Sequence, residues 1–275
     1  MSWALYRNVL KLGRIGALSW GATIFLWTSL VIWIFPTIDK TLSFEDYVNA
    51  MPEQVRAAIG VSTPEDMALV FQDGGFTLSG YVNTEYLSWM PLLLGVYAVV
   101  YCGGLVSKEA ERGTLDALLS QPLQRSTFLV SKFAGFATLA AGITALSFLT
   151  IAMGAMFIDG EVDSTNLAAI HGVGLLLVLT IAGYSTLASC VFLEPGKSLA
   201  VAGLITALSY FANIVGVGIA GLSWLKNLSL FHYYDSLQVI AAGNINWTGV
   251  VVYAAVLTAT LTASWAIFRR NDLVR

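Results

Sequence analysis

The chain has 275 residues, 57% of them hydrophobic and only 11% charged, with a formal net charge of -3. Soluble domains carry about a quarter charged residues, and a soluble globule of this size could not cover so much apolar surface with so few polar groups. The composition excludes an ordinary soluble domain and points to a bilayer as the solvent. No nucleic-acid partner is expected.

In chain order, Trp3, Tyr6, Val9 and Leu10 share one helical face, while Arg7 and Lys11 are placed to meet lipid phosphates. Residues 2–12 are therefore expected to form an interfacial helix. The apolar run that follows is too long for a signal-peptide core, and no small-residue cleavage site follows it, so it reads as a retained first span. A spanning helix needs about 20 apolar residues, because each adds about 1.5 Å through a core of about 30 Å. Six runs meet this need, at about 15–35, 86–106, 128–157, 167–192, 199–224 and 248–268. Lys and Arg then segregate between alternate loops. Arg7, Lys11, Arg14, Lys108, Arg112, Arg125, Lys132, Lys197, Arg269, Arg270 and Arg275 fall on one side, and only Lys40, Arg56 and Lys226 on the other. By the positive-inside rule both termini are cytoplasmic.

Three segments between spans carry information. The external loop, 37–85, is acidic and contains helix-start signals at Ser43 and at Thr63–Pro64. Phe44, Tyr47, Val48, Met51, Val55 and Ile59 recur at helical spacing, so a small cap of short helices is expected there. The cytoplasmic loop, 107–126, is expected to carry the second span on through Arg112 and to break at Gly113. Thr114 is then a good N-cap, and Leu115, Leu118 and Leu119 form one apolar stripe that Pro122 ends. A short amphipathic helix of this kind suits a groove on a partner. The segment 228–243 is apolar enough to re-enter the outer leaflet, where any irregular backbone would have to be buried in protein.

Catalytic patterns are missing. Cys102 and Cys190 lie in apolar runs and read as small buried hydrophobes, and His171 and His232 have no ligand-like neighbours at metal spacing. Gly196–Lys197–Ser198 mimics a phosphate loop, but the glycine required five residues earlier is Val191. The string reads as a short cytoplasmic turn broken by Pro195–Gly196. The chain is expected to bind no cofactor or metal, and energy for any pumping has to come from elsewhere. Two other readings remain open at this point: a secondary transporter or channel without an ATPase partner, and a membrane enzyme with its site in the external loop.

The string Glu111–Arg112–Gly113–Thr114–Leu115, followed by Leu118–Leu119, Pro122, Arg125 and Lys132, resembles the signature of ABC-2 type transporter permeases. The 228–234 stretch and the Arg269–Arg270–Asn271–Asp272–Leu273 ending are also similar to that family. The resemblance implies an all-α integral membrane protein of the type V exporter kind. It would comprise six transmembrane helices with an N-terminal interfacial helix (Trp3, Tyr6, Arg7, Lys11), a cytoplasmic coupling helix and a small helical extracellular loop. It implies a bacterial plasma-membrane exporter of a hydrophobic or amphipathic substrate, such as an antibiotic, peptide or lipid-like molecule. Two permease copies would pair with two ABC ATP-binding subunits, which would hold the ATP and Mg. Glu109, Glu111, Arg112, Gly113, Thr114, Leu115, Leu118, Leu119, Pro122 and Arg125 would form the coupling contact.

Overall fold

A computed structural model describes residues 1–38, 51–52, 55–56, 63–72, 75–113, 124–158, 160–219 and 221–270. Ser43, Phe44, Tyr47, Val48 and Ile59 of the expected external cap lie outside these residues. So do Thr114, Leu115, Leu118, Leu119 and Pro122 of the expected coupling helix. Among the described residues, six helical stretches are long and apolar enough to cross a membrane. The chain is an all-α membrane protein.

Helix α1 spans Trp3–Ile38. A short outer element follows: α2 (Pro64–Val70), a two-stranded hairpin (β1 Phe71–Gln72, β2 Gly75–Phe76) and α3 (Leu78–Val82). A π-helical turn, Asn83–Leu87, leads into α4 (Met90–Cys102), and a four-residue break precedes α5 (Ser107–Glu111). Then come α6 (Arg125–Phe157), α7 (Ser164–Phe192) and α8 (Pro195–Gly218). Two 3-10 turns, Ser223–Leu228 and Phe231–Tyr233, precede α9 (Ser236–Ala242) and α10 (Trp247–Arg270).

Close helix pairs set the relative directions. Gly135 and Gly154 of α6 lie against Val9 and Ile32 of α1, so these two helices run parallel. Gly174 packs on Met90 and Gly95 on Ile181, so α4 and α7 also run parallel. Thr180 donates to Tyr253 O (3.2 Å) while Gly183 meets Leu257, which makes α7 and α10 parallel too. The turn at Leu193–Glu194 reverses the chain between α7 and α8, with Leu193 left-handed at φ 52. The start of α1, α5, the start of α6, the α7–α8 turn and the end of α10 therefore share one end of the bundle. That end holds every described Lys and Arg except Arg56 and Lys226.

The core lies along α4 and α7, whose Met90, Leu94, Ala98, Cys102, Leu177 and Ile181 are fully buried. Helices α1, α8 and α10 expose broad apolar faces, including Leu18, Leu26, Trp33, Leu204, Leu208 and Val251. A bilayer is the environment in which such faces are stable.

Several boundaries differ from those expected. Residues 2–12 are not a separate interfacial helix but the first turns of α1. Gly13, which costs about 1 kcal/mol in a helix interior, lets α1 approach Leu139 and Tyr101, where an added Cβ would sit 2.6 Å from the Leu139 side chain. Tyr6 Oη lies 2.9 Å from Thr138 Oγ1 and Ser2 N–H donates to Ser131 Oγ at 2.8 Å, so α6 holds these turns in line with the span. The helical stretch that carries the second span begins at Leu78, ahead of the expected 86, and Glu85 is the one exposed residue in an otherwise buried run, 80–87. The span also does not run unbroken to Arg112, since it opens at Gly103–Val106. The fifth span runs from Pro195 to Gly218, not 199–224. Proline is pre-organised for the first helical position, so Pro195 starts this helix instead of breaking one, and the Gly196–Lys197–Ser198 string lies in its first turn.

The outer end is a single layer. Thr63 and Asp66 form a reciprocal capping box on α2. Gln238 of α9 donates to Asp66 Oδ1 (3.2 Å), which joins the two outer loops. After α8 the chain doubles back: Leu230 N–H donates to Ser209 Oγ (2.9 Å), nine residues before the end of α8, or about 14 Å down its axis. Leu237, Val239 and Ile240 of α9 are buried against the neighbouring elements.

Candidate functional site

The basic end of the bundle holds an unusual structure, a helix broken inside apolar packing. Gly103 and Gly104 interrupt the second span, and an added Cβ at Gly103 would lie 2.5 Å from Val99 O and 2.9 Å from Leu199 Cδ2. Breaking a helix frees backbone groups, and buried ones need partners. Serines of α7 and α8 supply them. Ser189 Oγ accepts from Val106 N (2.9 Å) and Ser107 N (3.0 Å). Gly103 O accepts from Ser198 Oγ (2.6 Å) and Ser107 Oγ (3.0 Å). All three serines are fully buried. The break is thereby held against α7 and α8.

Lys132 of α6 latches this broken segment from the other side. Its ammonium donates to Glu109 Oε1 (2.6 Å) and to Leu105 O (3.3 Å) and lies 4.9 Å from the Phe128 ring centre. The pair is mostly buried, with side-chain exposures of 13% for Lys132 and 23% for Glu109. One helical turn back along α6, Phe128 stacks on Phe268 at 5.8 Å. Arg125 Nη1 donates to Phe268 O (3.2 Å) and Arg269 O (3.4 Å). A cation on the last carbonyls of α10 complements the negative end of the helix dipole.

Of the predicted coupling residues, the structure brings Glu109 and Arg125 onto the first turns of α6. Glu111, Arg112 and Gly113 are exposed at the tip, and Gly113 takes the positive φ of 67° expected of a helix stop. Trp3 stacks on Tyr6 at 5.3 Å, while Arg7 and Lys11 are exposed. The ten residues 114–123 therefore leave from one anchored point and return to another.

Residue-by-residue reading missed two features. Lys132 could be read only as part of a motif, and the role of Ser189 and Ser198 was invisible, although the Gly103–Gly104 pair inside an apolar run was a usable signal for a break. The second is a buried polar chain in the outer half. His171 Nδ1 lies 2.8 Å from Leu167 O, and Nε2 lies 3.0 Å from Ser147 Oγ. Ser147 Oγ in turn lies 2.7 Å from Tyr86 Oη. A carbonyl only accepts, so Nδ1 carries a proton toward Leu167 O. The chain ties the π-helical turn, α6 and α7 together. His171 is thus a buried base within the span, 4% exposed. Among the described residues, no group of three or more His, Cys, Asp or Glu is placed to hold a metal ion.

Comparison with known proteins agrees with this architecture. The chain is 25% identical over 228 residues to YhcI of Bacillus subtilis (strain 168), a protein described as uncharacterized, with 73% of this chain and 71% of YhcI covered. The sequence model of the ABC-2 family transporter proteins matches residues 18–273. Six apolar helices, a basic end with a latched, broken second span, and a family match over nearly the whole length lead to one conclusion: the chain belongs to the ABC-2 transporter family, as a multi-pass membrane permease.

Proposed function

We propose that this permease exports a hydrophobic or amphipathic substrate, an antibiotic, peptide or lipid-like molecule. It does so as one of two copies driven by two separate ABC ATP-binding subunits that carry the ATP and Mg. The basic end faces the cytoplasm of a bacterial cell, and residues 114–123 dock on the ATPase, with Thr114, Leu115, Leu118, Leu119 and Pro122 at the contact. The observation that carries this reading is the pair of anchors around that segment: Glu109 on Lys132 before it and Arg125 on the end of α10 after it. A push on the loop then reaches the second, third and sixth spans together. The depth at which Leu230 meets Ser209 supports reading 228–243 as re-entering the outer leaflet.

The test is ATP-driven transport by the permease co-expressed with its ABC ATP-binding subunit. Leu118→Asp and Glu111→Lys are expected to abolish transport while the ATPase subunit keeps its basal hydrolysis. Normal assembly and wild-type transport by both variants would remove the coupling assignment. A second reading, a gradient-driven transporter, draws on buried His171, since an ionisable residue inside a membrane is a functional candidate by default. Ion-driven flux by the purified chain alone would favour it.

A further inference from the structure

Helix α1 carries a feature that the coupling site does not use. Arg7, Lys11 and Arg14 recur at i, i+4 and i+7, and Leu18 and Phe25 continue the same stripe, all within about 60° around the helix axis. All five are exposed. The basic part of the stripe leads directly into an apolar groove between α1 and α6. That groove has a volume of about 560 Å³, with Arg14 at its mouth and Leu18, Ala22, Phe25, Gly142 and Leu146 along its walls. A second compartment of about 480 Å³ continues outward from Phe25 and Leu146. From Arg14 to Phe25 is eleven residues, about 16 Å along the helix, or about half the hydrocarbon thickness of a bilayer.

We propose that the inner part of this groove binds one anionic phospholipid from the leaflet at the basic end, with an acyl chain between α1 and α6 and its phosphate on Arg14. The argument is one of charge and length. No acid pairs with Arg7, Lys11 or Arg14 among the described residues, whose two ion pairs are Lys132–Glu109 and Lys197–Glu194. A guanidinium presents a planar fork of donors that suits phosphate oxygens, and Lys11 one turn away adds field. A second copy is the less fitting occupant. A two-fold contact about an axis along the membrane normal would set residues of equal depth against each other, Arg14 facing Arg14. The groove length matches one leaflet, so the chain terminus would reach Phe25 and Leu146, which line both compartments. This inference does not depend on the transport reading, because it concerns a resident lipid and not cargo.

The full chain, reconstituted in vesicles of equimolar phosphatidylglycerol and phosphatidylcholine and then examined by native mass spectrometry, tests it. The expected result is one phosphatidylglycerol retained per chain in preference to phosphatidylcholine. Arg14→Gln is expected to lower retention about tenfold, as loss of one charge-assisted hydrogen bond implies. Gly142→Phe is expected to lower it as well without harming the fold, because a Cβ at Gly142 meets nothing within 4 Å. An unchanged melting temperature checks that point. Arg270→Gln, on the last turn of α10, is expected to leave retention unchanged. Equal retention of the two lipids, or full retention by folded Gly142→Phe, overturns the proposal. So does disulfide cross-linking between Leu18→Cys chains in membranes, which would put a second copy in the groove.

Discussion

The ammonium of Lys132 lies 2.6 Å from Glu109 Oε1, across the gap between the third span and the short helix that follows the break in the second. Both groups are largely withdrawn from water, so neither is at low energy without the other. Lys132→Met takes the ammonium away from the half-buried Glu109 carboxylate and is expected to cost about 2–4 kcal/mol, somewhat below the range for fully buried pairs. The double variant Lys132→Met/Glu109→Leu restores most of that stability but loses the link between α5 and α6. Thermal unfolding in detergent, paired with transport-coupled ATP hydrolysis, separates the two effects. A single variant as stable as wild type would show that the latch carries no structural load.

The serine shell around the helix break makes a graded prediction. Ser189→Ala strips the acceptor from two buried N–H groups, Val106 and Ser107, and is expected to cost about 2–4 kcal/mol. Ser198→Ala leaves Gly103 O with its second donor, Ser107 Oγ, and is expected to cost about 1 kcal/mol. Melting temperatures of the two variants should fall in that order, and the reverse order would contradict this account of the break.

Gly103→Ala should be worse tolerated than its size suggests. Its Cβ would stand 2.5 Å from Val99 O, a backbone atom that cannot rotate away. Folding yield after membrane extraction is expected to drop sharply, whereas Gly203→Ala, with open space around the added carbon, is expected to be neutral or slightly stabilising.

Within the outer polar chain, Ser147→Ala removes the atom shared by Tyr86 and His171. The expected cost is about 2–3 kcal/mol, because two buried polar groups lose a partner at once. The triple change Tyr86→Phe/Ser147→Ala/His171→Leu should cost less than the sum of its single parts, since members of one network are not additive. Additive losses in a full mutant cycle would argue against a connected chain.

The membrane character, the six apolar stretches and the segregation of basic residues were all legible from residue order. They depend on local sums: the length of an apolar run against the bilayer thickness, and the side on which Lys and Arg accumulate. The helix stop expected at Gly113 was legible as well, since Gly113 follows the end of α5 with a positive φ. Where a single charge was taken as a boundary, the helix itself runs further. Glu85 is exposed on a helix whose neighbours are buried, so the helical stretch begins at Leu78. The start of α1 was misread for a similar reason. Its charged, aromatic face suits a membrane surface, but contacts from Ser131 and Thr138, more than a hundred residues away, keep it in line with the span.

Residue order by itself determined that this chain crosses a membrane, how many times, and where its basic end lies, because each is a property of contiguous segments. Only the tertiary structure decided that the second span is broken at Gly103, that Ser189 and Ser198 make the break affordable, and that Lys132 pairs with Glu109 while Arg125 caps the end of α10. The physical reason is that a freed backbone group or a buried charge is tolerated only when a partner arrives from elsewhere in the chain, and that partner can be identified only once the helices are packed.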